Sequence, residues 1–395
     1  MDAAVRVLYS FPHKIGADRI CTTAWYQVWG LAEAGAQVQL HPGAVVRPLP
    51  DTVGVQPTLA RGGWRLPYRM IGSMRAFWLH DRVVAARLER EHARIDLLHA
   101  WPLGALRTLQ VAARYGVPTL LERPNARTRF AYEVVRQECE RVGVPLPPNH
   151  EHAHNEHVLQ REEAEYALAT RLLCPSEFVA RSFLDDGVPP QRLARHRYGY
   201  DEQVFQPAPG PRPQREGLVM LFAGGCAPRK GLHHALAAWL ASPASQHGRF
   251  RIAGAFVPGY AERLSRWLAH PSVEVLGHRT DMPALMRDAD VLVLPSVEEG
   301  SALVTYEARG SGCVLLVSDA AGAVCRHEHD ALVHAAGDVE ALSRHITALH
   351  EDRALLERLR AASLAGTPDI TWRAAGVRLL EVYRETIAAA QAARA

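Results

Sequence analysis

Two glutamates eight positions apart, Glu299 and Glu307, stand in the segment EGSALVTYEA, residues 299–308. The segment follows an apolar run, 291–294, that ends in Pro295-Ser296. Gly300 allows a tight turn, and the residues after it suit the start of a helix. The first turn of a helix leaves amide groups unpaired and carries partial positive charge, so it holds phosphate well. Two carboxylates about two turns apart would lie at different depths along one ligand. Each could accept hydrogen bonds from vicinal hydroxyls, such as those of a ribose or a hexose. Two ordinary glutamates on a solvated helix give the same pattern. Upstream, residues 221–232 read LFAGGCAPRKGL. Here a strand is followed by a glycine turn at Gly224-Gly225, a cationic pair at Arg229-Lys230, and a helix. That order fits a diphosphate clamp in which Lys230 supplies a compact charge. It also fits a helix-capping loop with a solvated lysine.

Such side chains need rigid elements to aim them. Short apolar runs alternate with longer helical patterns along the whole chain. Residues 5–9, 38–40, 97–99, 119–122 and 171–174 read as strands in the first half. Residues 219–223, 250–253, 273–276, 291–294 and 314–318 do so in the second. Fully apolar strands separated by helices predict parallel sheets covered on both faces, the doubly wound α/β pattern, here present twice. Ligands in such sheets bind beyond the carboxyl ends of the strands. With two such domains, a cleft between them is the default site. The clearest boundary is QPAPGPRPQREG, residues 206–217, whose alternating prolines favour an extended linker. We therefore expect a first domain over 1–207, a second over 208–372, and a terminal helix, 373–395, packing on the first.

The chain has 395 residues, 48% hydrophobic and 22% charged, with a formal net charge of +3. This excludes a disordered chain and argues against a general nucleic-acid binder. No apolar run has the roughly 18–20 residues needed to span a bilayer, and the start shows no signal-peptide core. The six cysteines include no Cys-x-x-Cys spacing, so a reduced, cytoplasmic protein is expected. Residues 61–94 interleave arginines with Trp64, Tyr68, Ile71, Met74, Phe77 and Trp78. That stretch either lies on an anionic membrane surface or packs an aromatic stripe into the domain. His150, His152, His154 and His157 suggest a metal site, an acceptor contact or a solvated loop. Glu162, Glu163 and Glu165 read as an exposed helix face. Of the 45 Lys and Arg residues only Lys14 and Lys230 are lysines, a skew that fits GC-rich codon usage and singles these two out.

Taken together, these segments resemble retaining nucleotide-sugar glycosyltransferases of the GT-B fold, glycosyltransferase family 4. That family carries a strand, a glycine turn ending in Lys-Gly, and later Glu-Gly-x-x-Leu-Val-x-x-Glu-Ala, matched here by residues 299–308. Further matches are Val275-Leu276-Gly277, Ala289-Asp290-Val291, Gly116-Val117-Pro118, Cys174-Pro175-Ser176-Glu177-Phe178 and Tyr198-Gly199-Tyr200-Asp201. The resemblance implies two Rossmann-like domains and a donor site in the second. By position, Glu307 would bind the nucleotide ribose, Glu299 would lie near the donor sugar, and Lys230 would bind the diphosphate beside Gly224, Gly225 and Gly300. Amides near Leu303 and Val304 would meet phosphate, Ser301 and Ala302 would flank the sugar, and the loop with His278 and Arg279 would approach the base. In the first domain, the loop after strand one, with Lys14 and Gly16, would face phosphate and acceptor; His99 and Arg123 are acceptor-side candidates.

The chain departs from that family's pattern at three places. Many relatives have Arg where Gly225 stands, and Arg229 is the cation read in its place. Relatives often carry a His in the loop that here reads Glu122-Arg123-Pro124-Asn125-Ala126, so Asn125, Arg123 or another group would take that role. Position 301 is often aromatic and is Ser here. The implied activity is glycosyl transfer from a nucleotide-diphosphate sugar, with a UDP-sugar as the expected form, to an acceptor hydroxyl with retention. It would serve polysaccharide, glycolipid or glycosylated natural-product biosynthesis. No cofactor and no metal are implied, the acceptor is unspecified, and peripheral membrane contact would run through residues 61–94 at the inner membrane face. A nucleotide-sugar epimerase or hydrolase on the same fold is the alternative, as is a catalytically inactive subunit that binds sugar nucleotide.

Overall fold

The computed structural model describes residues 4–62, 64–65, 72–148, 150–210 and 215–394. The chain divides into two units. One comprises 1–124, 155–198 and 372–395; the other comprises 125–154 and 199–371.

The first unit is built on a sheet of β1 (Arg6–Ile15), β2 (Gln37–Val45), β3 (Gly54–Val55), β6 (Leu97–Ala100), β7 (Thr119–Glu122), β8 (Arg171–Cys174) and β9 (Leu193–Arg195). A separate short hairpin joins β4 (Ala60–Arg61) to β5 (Trp64–Arg65). The sheet order is β3-β2-β1-β6-β7-β8-β9, parallel throughout. Right-handed crossovers place helices on both faces of such a sheet. One face is packed by α1 (Ile20–Glu33) and the terminal helix, the other by α2 (Ser73–Glu91), α3 (Leu106–Tyr115), α5 (Glu156–Leu168) and α6 (Glu177–Leu184). The second unit follows the same logic. Strands β10 (Val219–Ala223), β11 (Arg249–Ala253), β12 (Val273–Gly277), β13 (Val291–Leu294), β14 (Val314–Ser318) and β15 (Ala331–His334) pair in the order β12-β11-β10-β13-β14-β15, all parallel. Counted from its own first strand, the second sheet reads 3-2-1-4-5-6 and the first reads 3-2-1-4-5-6-7, the doubly wound order with one further strand, each with a topological switch point where the order reverses.

Four elements differ from the sequence reading. β1 continues to Ile15, so Lys14 is a strand residue paired with Ala44 rather than a loop residue. Gly16 then makes the turn at φ +78°, and a Cβ there would lie 2.3 Å from the Cβ of Arg47. α4 (Thr128–Val142) and the chain up to residue 154 fall outside the first unit and pack with the second. Residues 199–205 also join the second unit. Tyr200 N donates to Ile370 O at 3.3 Å, and Phe205 packs against its core. The division therefore falls before the proline-rich stretch, of which 211–214 lie outside the described residues. Finally, Glu162 and Glu165 of α5 are buried rather than exposed. Glu162 pairs with Arg123 at 2.9 Å, and Glu165 accepts from the amides of Leu103 (2.7 Å) and Ala105 (3.1 Å). Both satisfy groups that burial would otherwise leave unpaired.

The terminal helix α14 (Trp372–Ala392) lies against α1 at a glycine crossing. A Cβ on Gly376 would stand 2.3 Å from the carbonyl carbon of Gly30, so the two backbones touch. The remaining helices of the second unit are α7 (Leu232–Ala241), α8 (Ala244–His247), α9 (Tyr260–Leu268), α10 (Met282–Asp288), α11 (Leu303–Gly310), α12 (Val339–Glu351) and α13 (Arg353–Ala365). Among the described residues no helix is long and apolar enough to cross a membrane.

Candidate functional site

In the second unit the switch point lies between β10 and β13. Two loops leave the carboxyl ends of these strands side by side. The loop after β10 runs from Gly224 through a single 3-10 turn, Pro228–Lys230, to Gly231 at the head of α7. The loop after β13 runs from Pro295 to Ala302 at the head of α11. The loops are tied by Val297 N donating to Arg229 O at 2.9 Å. Gly231 makes the approach possible. Its φ is +68°, and a Cβ would lie 2.0 Å from the carbonyl oxygen of Pro295.

This juxtaposition brings a line of charges together. The Lys230 ammonium contacts the Glu299 carboxylate. Arg229 Nη1 reaches Glu299 at 3.2 Å and donates to Glu298 at both its backbone oxygen (2.8 Å) and Oε2 (3.1 Å). Glu298 is wholly buried and also accepts from Ala126 N at 3.3 Å and from His152 Nε2 at 3.1 Å. Burial pushes the Glu298 carboxyl up, but the His152 hydrogen bond and the Arg229 charge prevail and hold it at about 2. It is therefore an acceptor only, so the proton on His152 is assigned to Nε2. Burial works against the Arg229 charge, yet Glu299 and Glu298 hold the guanidinium above its ordinary range. Lys230 is shifted down by burial, against the pull of Glu299.

Glu307 differs in kind. It sits on α11, and no hydrogen bond or ion pair engages its carboxyl among the described residues. Burial alone raises it to about 7. Ala302 caps α11 without a side-chain acceptor, so the amides of Leu303 and Val304 belong to an uncapped helix start. Gly224, at φ +142°, lies beside the Lys230 side chain, and a Cβ at Gly225 would meet nothing within 4 Å.

Other expected residues are placed differently. The Ser301 hydroxyl faces inward, donating to Gly322 O at 3.0 Å and bonded to the Tyr306 hydroxyl at 2.7 Å. His278 and Arg279 are exposed, and Arg279 is engaged by Asp281 at 2.6 and 2.8 Å. Asn125 is exposed, next to the Ala126 amide that holds Glu298. In the first unit the acceptor-side reading of His99 and Arg123 fails on burial. His99 is 0% exposed, with Nδ1 2.6 Å from the Tyr383 hydroxyl and Nε2 3.4 Å from Glu122. Arg123 is 2% exposed and stacks over Tyr166 while pairing with Glu162. Lys14 is exposed on β1.

The histidine run does not assemble as one cluster. His152 turns to Glu298, His154 packs edge-on to the Tyr132 ring at 5.9 Å, and His157 is an exposed residue of α5. A different trio does converge. His233 and His234, in the first turn of α7, set their Nε2 atoms 2.7 and 3.1 Å from Glu138 Oε1 of α4. Hydrogen bonding accounts for this arrangement. Glu138 is held at about 2, its burial outweighed by the two histidines, so both Nε2 atoms donate to it. His233 Nδ1 then accepts from the Tyr260 hydroxyl at 2.8 Å. The trio fastens α4 to the second unit. Motif reading missed the Glu298–His152 pair: Glu298 showed only as a second acidic residue beside Glu299, and His152 only as one member of the histidine run, with nothing to link the two.

Residues 217–352 match the family model described as glycosyl transferases group 1. The chain is 24% identical to the D-inositol 3-phosphate glycosyltransferase of Thermobispora bispora, over 90% of this chain and 87% of that protein. Its fold is similar to sucrose-phosphate synthase from Thermosynechococcus elongatus, with a TM-score of 0.68, 17% identity, and coverage of 98% of this chain and 100% of that one. It is similar also to Anabaena HepE in complex with UDP-glucose, with a TM-score of 0.63, 14% identity, and coverage of 96% and 99%. Two parallel Rossmann-like sheets and these structural likenesses agree on the GT-B fold, and residues 217–352 of its second unit are similar to the glycosyl transferases group 1.

Proposed function

We propose that this protein transfers a sugar from a nucleoside diphosphate sugar, with UDP as the nucleotide, to an acceptor hydroxyl with retention, as in glycosyltransferase family 4. The observation that carries the reading is the Arg229–Glu299–Lys230 cluster at the switch point of the second unit, inside the matched segment. The UDP-glucose complex of HepE, a protein of the same fold, supports the choice of nucleotide.

In this reading Lys230 is held by Glu299 until a diphosphate arrives to share its charge. Lys230, Arg229 and the uncapped start of α11 then neutralise the leaving diphosphate. The bond from the anomeric carbon to the phosphate oxygen breaks as the acceptor oxygen bonds to that carbon from the same face. The acceptor proton passes to the departing phosphate, so no protein base is required. Glu299, released from Lys230, orients the donor sugar, and Glu307 accepts from the ribose hydroxyls. The two act as positioning groups, unlike the acid and nucleophile pair of a glycoside hydrolase. No cofactor enters, and the reaction belongs to the cytoplasm, where the six cysteines stay free.

Lys230→Ala is expected to lower turnover of a UDP-sugar about 10²–10³-fold, the cost of one such donor. A steady-state assay with UDP-glucose and a mixed acceptor pool checks it. Unchanged kinetics would remove the clamp. Sugar nucleotide consumed equally without acceptor would favour an epimerase or hydrolase.

A further inference from the structure

The second unit carries a pocket that the donor cluster leaves unused. It is lined by α4 and by the chain that follows it, residues 143–154, and measures about 900 Å³, the size of a site for a small organic molecule. Its wall is apolar, formed by Tyr132, Cys139, Val144, Pro145 and Leu146. The charges that reach it, Arg129, Glu133, Arg136 and Glu140, sum to zero, and Arg136 is held by Glu133 (2.8 Å) and Glu140 (2.5 Å). His152 also lines the pocket and is 4% exposed. Its Nε2 proton is committed to Glu298, so Nδ1 can only accept. Among the described residues no hydrogen bond reaches Nδ1, and Glu151 Oε1, 3.7 Å away, is another acceptor.

A buried acceptor without a donor is costly, and a second acceptor beside it cannot relieve that cost. Two acceptors this far apart suit the neighbouring hydroxyls of a polyol, each donating to one of them. The balanced charges disfavour an ionic ligand, and the wall calls for an apolar body. We propose that this pocket binds the acceptor of the transfer, and that the acceptor is an uncharged polyol with an apolar, ring-sized aglycone. One hydroxyl donates to His152 Nδ1 and its neighbour to Glu151, while the aglycone lies against Tyr132, Val144 and Leu146. His152 links the pocket through Glu298 and Arg229 to Glu299, so one chain of polar contacts joins the acceptor to the donor cluster. That the ligand is the acceptor rests on the transfer reading above; its chemistry rests on the pocket alone.

The test is titration calorimetry of the full chain with 2-naphthyl β-D-glucopyranoside, methyl β-D-glucopyranoside and 2-naphthol, and separately with UDP. The naphthyl glucoside is expected to bind at least about tenfold more tightly than the other two, which lack the apolar body or the neighbouring hydroxyls. His152→Gln keeps an amide donor for Glu298 and removes Nδ1, so affinity for the naphthyl glucoside should fall about fivefold, the worth of one hydrogen bond. Leu146→Arg, at a half-buried position of the wall, should lower that affinity at least about tenfold while leaving the thermal midpoint and the affinity for UDP unchanged. Equal affinity for the three probes, no binding of the naphthyl glucoside, or two unaffected variants overturns the proposal. Failure of the transfer reading has a different signature: UDP does not bind the parent, while the naphthyl glucoside still binds and still loses affinity in both variants. That outcome keeps the pocket and its ligand chemistry and removes the donor site.

Discussion

Glu298 engages more groups than either glutamate singled out by the motif, and it never faces solvent. Its work is to fix Arg229, which in turn steadies Glu299 and Lys230. Glu298→Gln preserves size but sets an amide donor against the donors of His152 and Arg229. We expect a loss of about 1–3 kcal/mol in stability from the unsatisfied groups and at least a tenfold fall in turnover. His152→Gln should lower turnover less, since Arg229 and Ala126 still hold Glu298. Equal activity of Glu298→Gln and the parent would show that Arg229 needs no such support. Glu307 offers a pH test. Its carboxyl, raised to about 7 by burial, is ionised only above neutrality in the free protein. Between the unfolded value near 4.5 and about 7 the native state binds the extra proton, so this group's stability contribution falls as pH rises through that window. For ligand binding the sign is opposite. Ribose hydroxyls need the ionised acceptor, so UDP affinity should drop about tenfold per pH unit below 7. Titration calorimetry on the parent and Glu307→Gln separates this from titration of the nucleotide, and an identical pH slope in both would remove the ribose role.

At the scale of elements, the site depends on two loops meeting at a switch point, and Gly231 is where they meet. Gly231→Ala combines a left-handed backbone with a Cβ 2.0 Å from the Pro295 oxygen. We expect a loss of about 2–4 kcal/mol, read by chemical denaturation, with UDP binding weakened because the loop after β13 must shift. A loss under 1 kcal/mol would mean that the loops separate freely. The strands themselves were legible in sequence. Five apolar runs, 119–122, 171–174, 219–223, 291–294 and 314–318, coincide with β7, β8, β10, β13 and β14 residue for residue. Strands buried on both faces leave continuous apolar runs, and the runs end where polarity must begin. Lys14 escaped because β1 continues through charged and proline positions after its apolar run ends. The allegiance of 125–154 to the second unit escaped for another reason. It rests on Glu138 with His233 and on Glu298 with His152, pairs 95 and 146 residues apart in sequence. Periodicity reports an element's own faces and says nothing of which distant side chain completes a hydrogen bond.

At the scale of the whole molecule, each unit has its own sheet and apolar core, and the terminal helix completes the first while the proposed nucleotide site lies in the second. These two roles can be perturbed separately. Gly376→Val puts branched carbon where α14 touches Gly30 of α1, at 2.3 Å for the Cβ alone. In a close-packed crossing this forces the helices apart and exposes the face that carries Leu379, Leu380 and Tyr383. Hydrogen exchange should then quicken at least tenfold in α1 and α14, with strands β10, β13 and β14 as protected as before. UDP should do the converse in the parent, slowing exchange at the start of α11 and in the 224–231 loop by the free energy of its binding. The variant should bind UDP with unchanged affinity. If Gly376→Val weakens UDP binding by tenfold or more, or quickens exchange equally in both sheets, the separation of roles is wrong, and the terminal helix supports the nucleotide site as directly as it supports its own sheet.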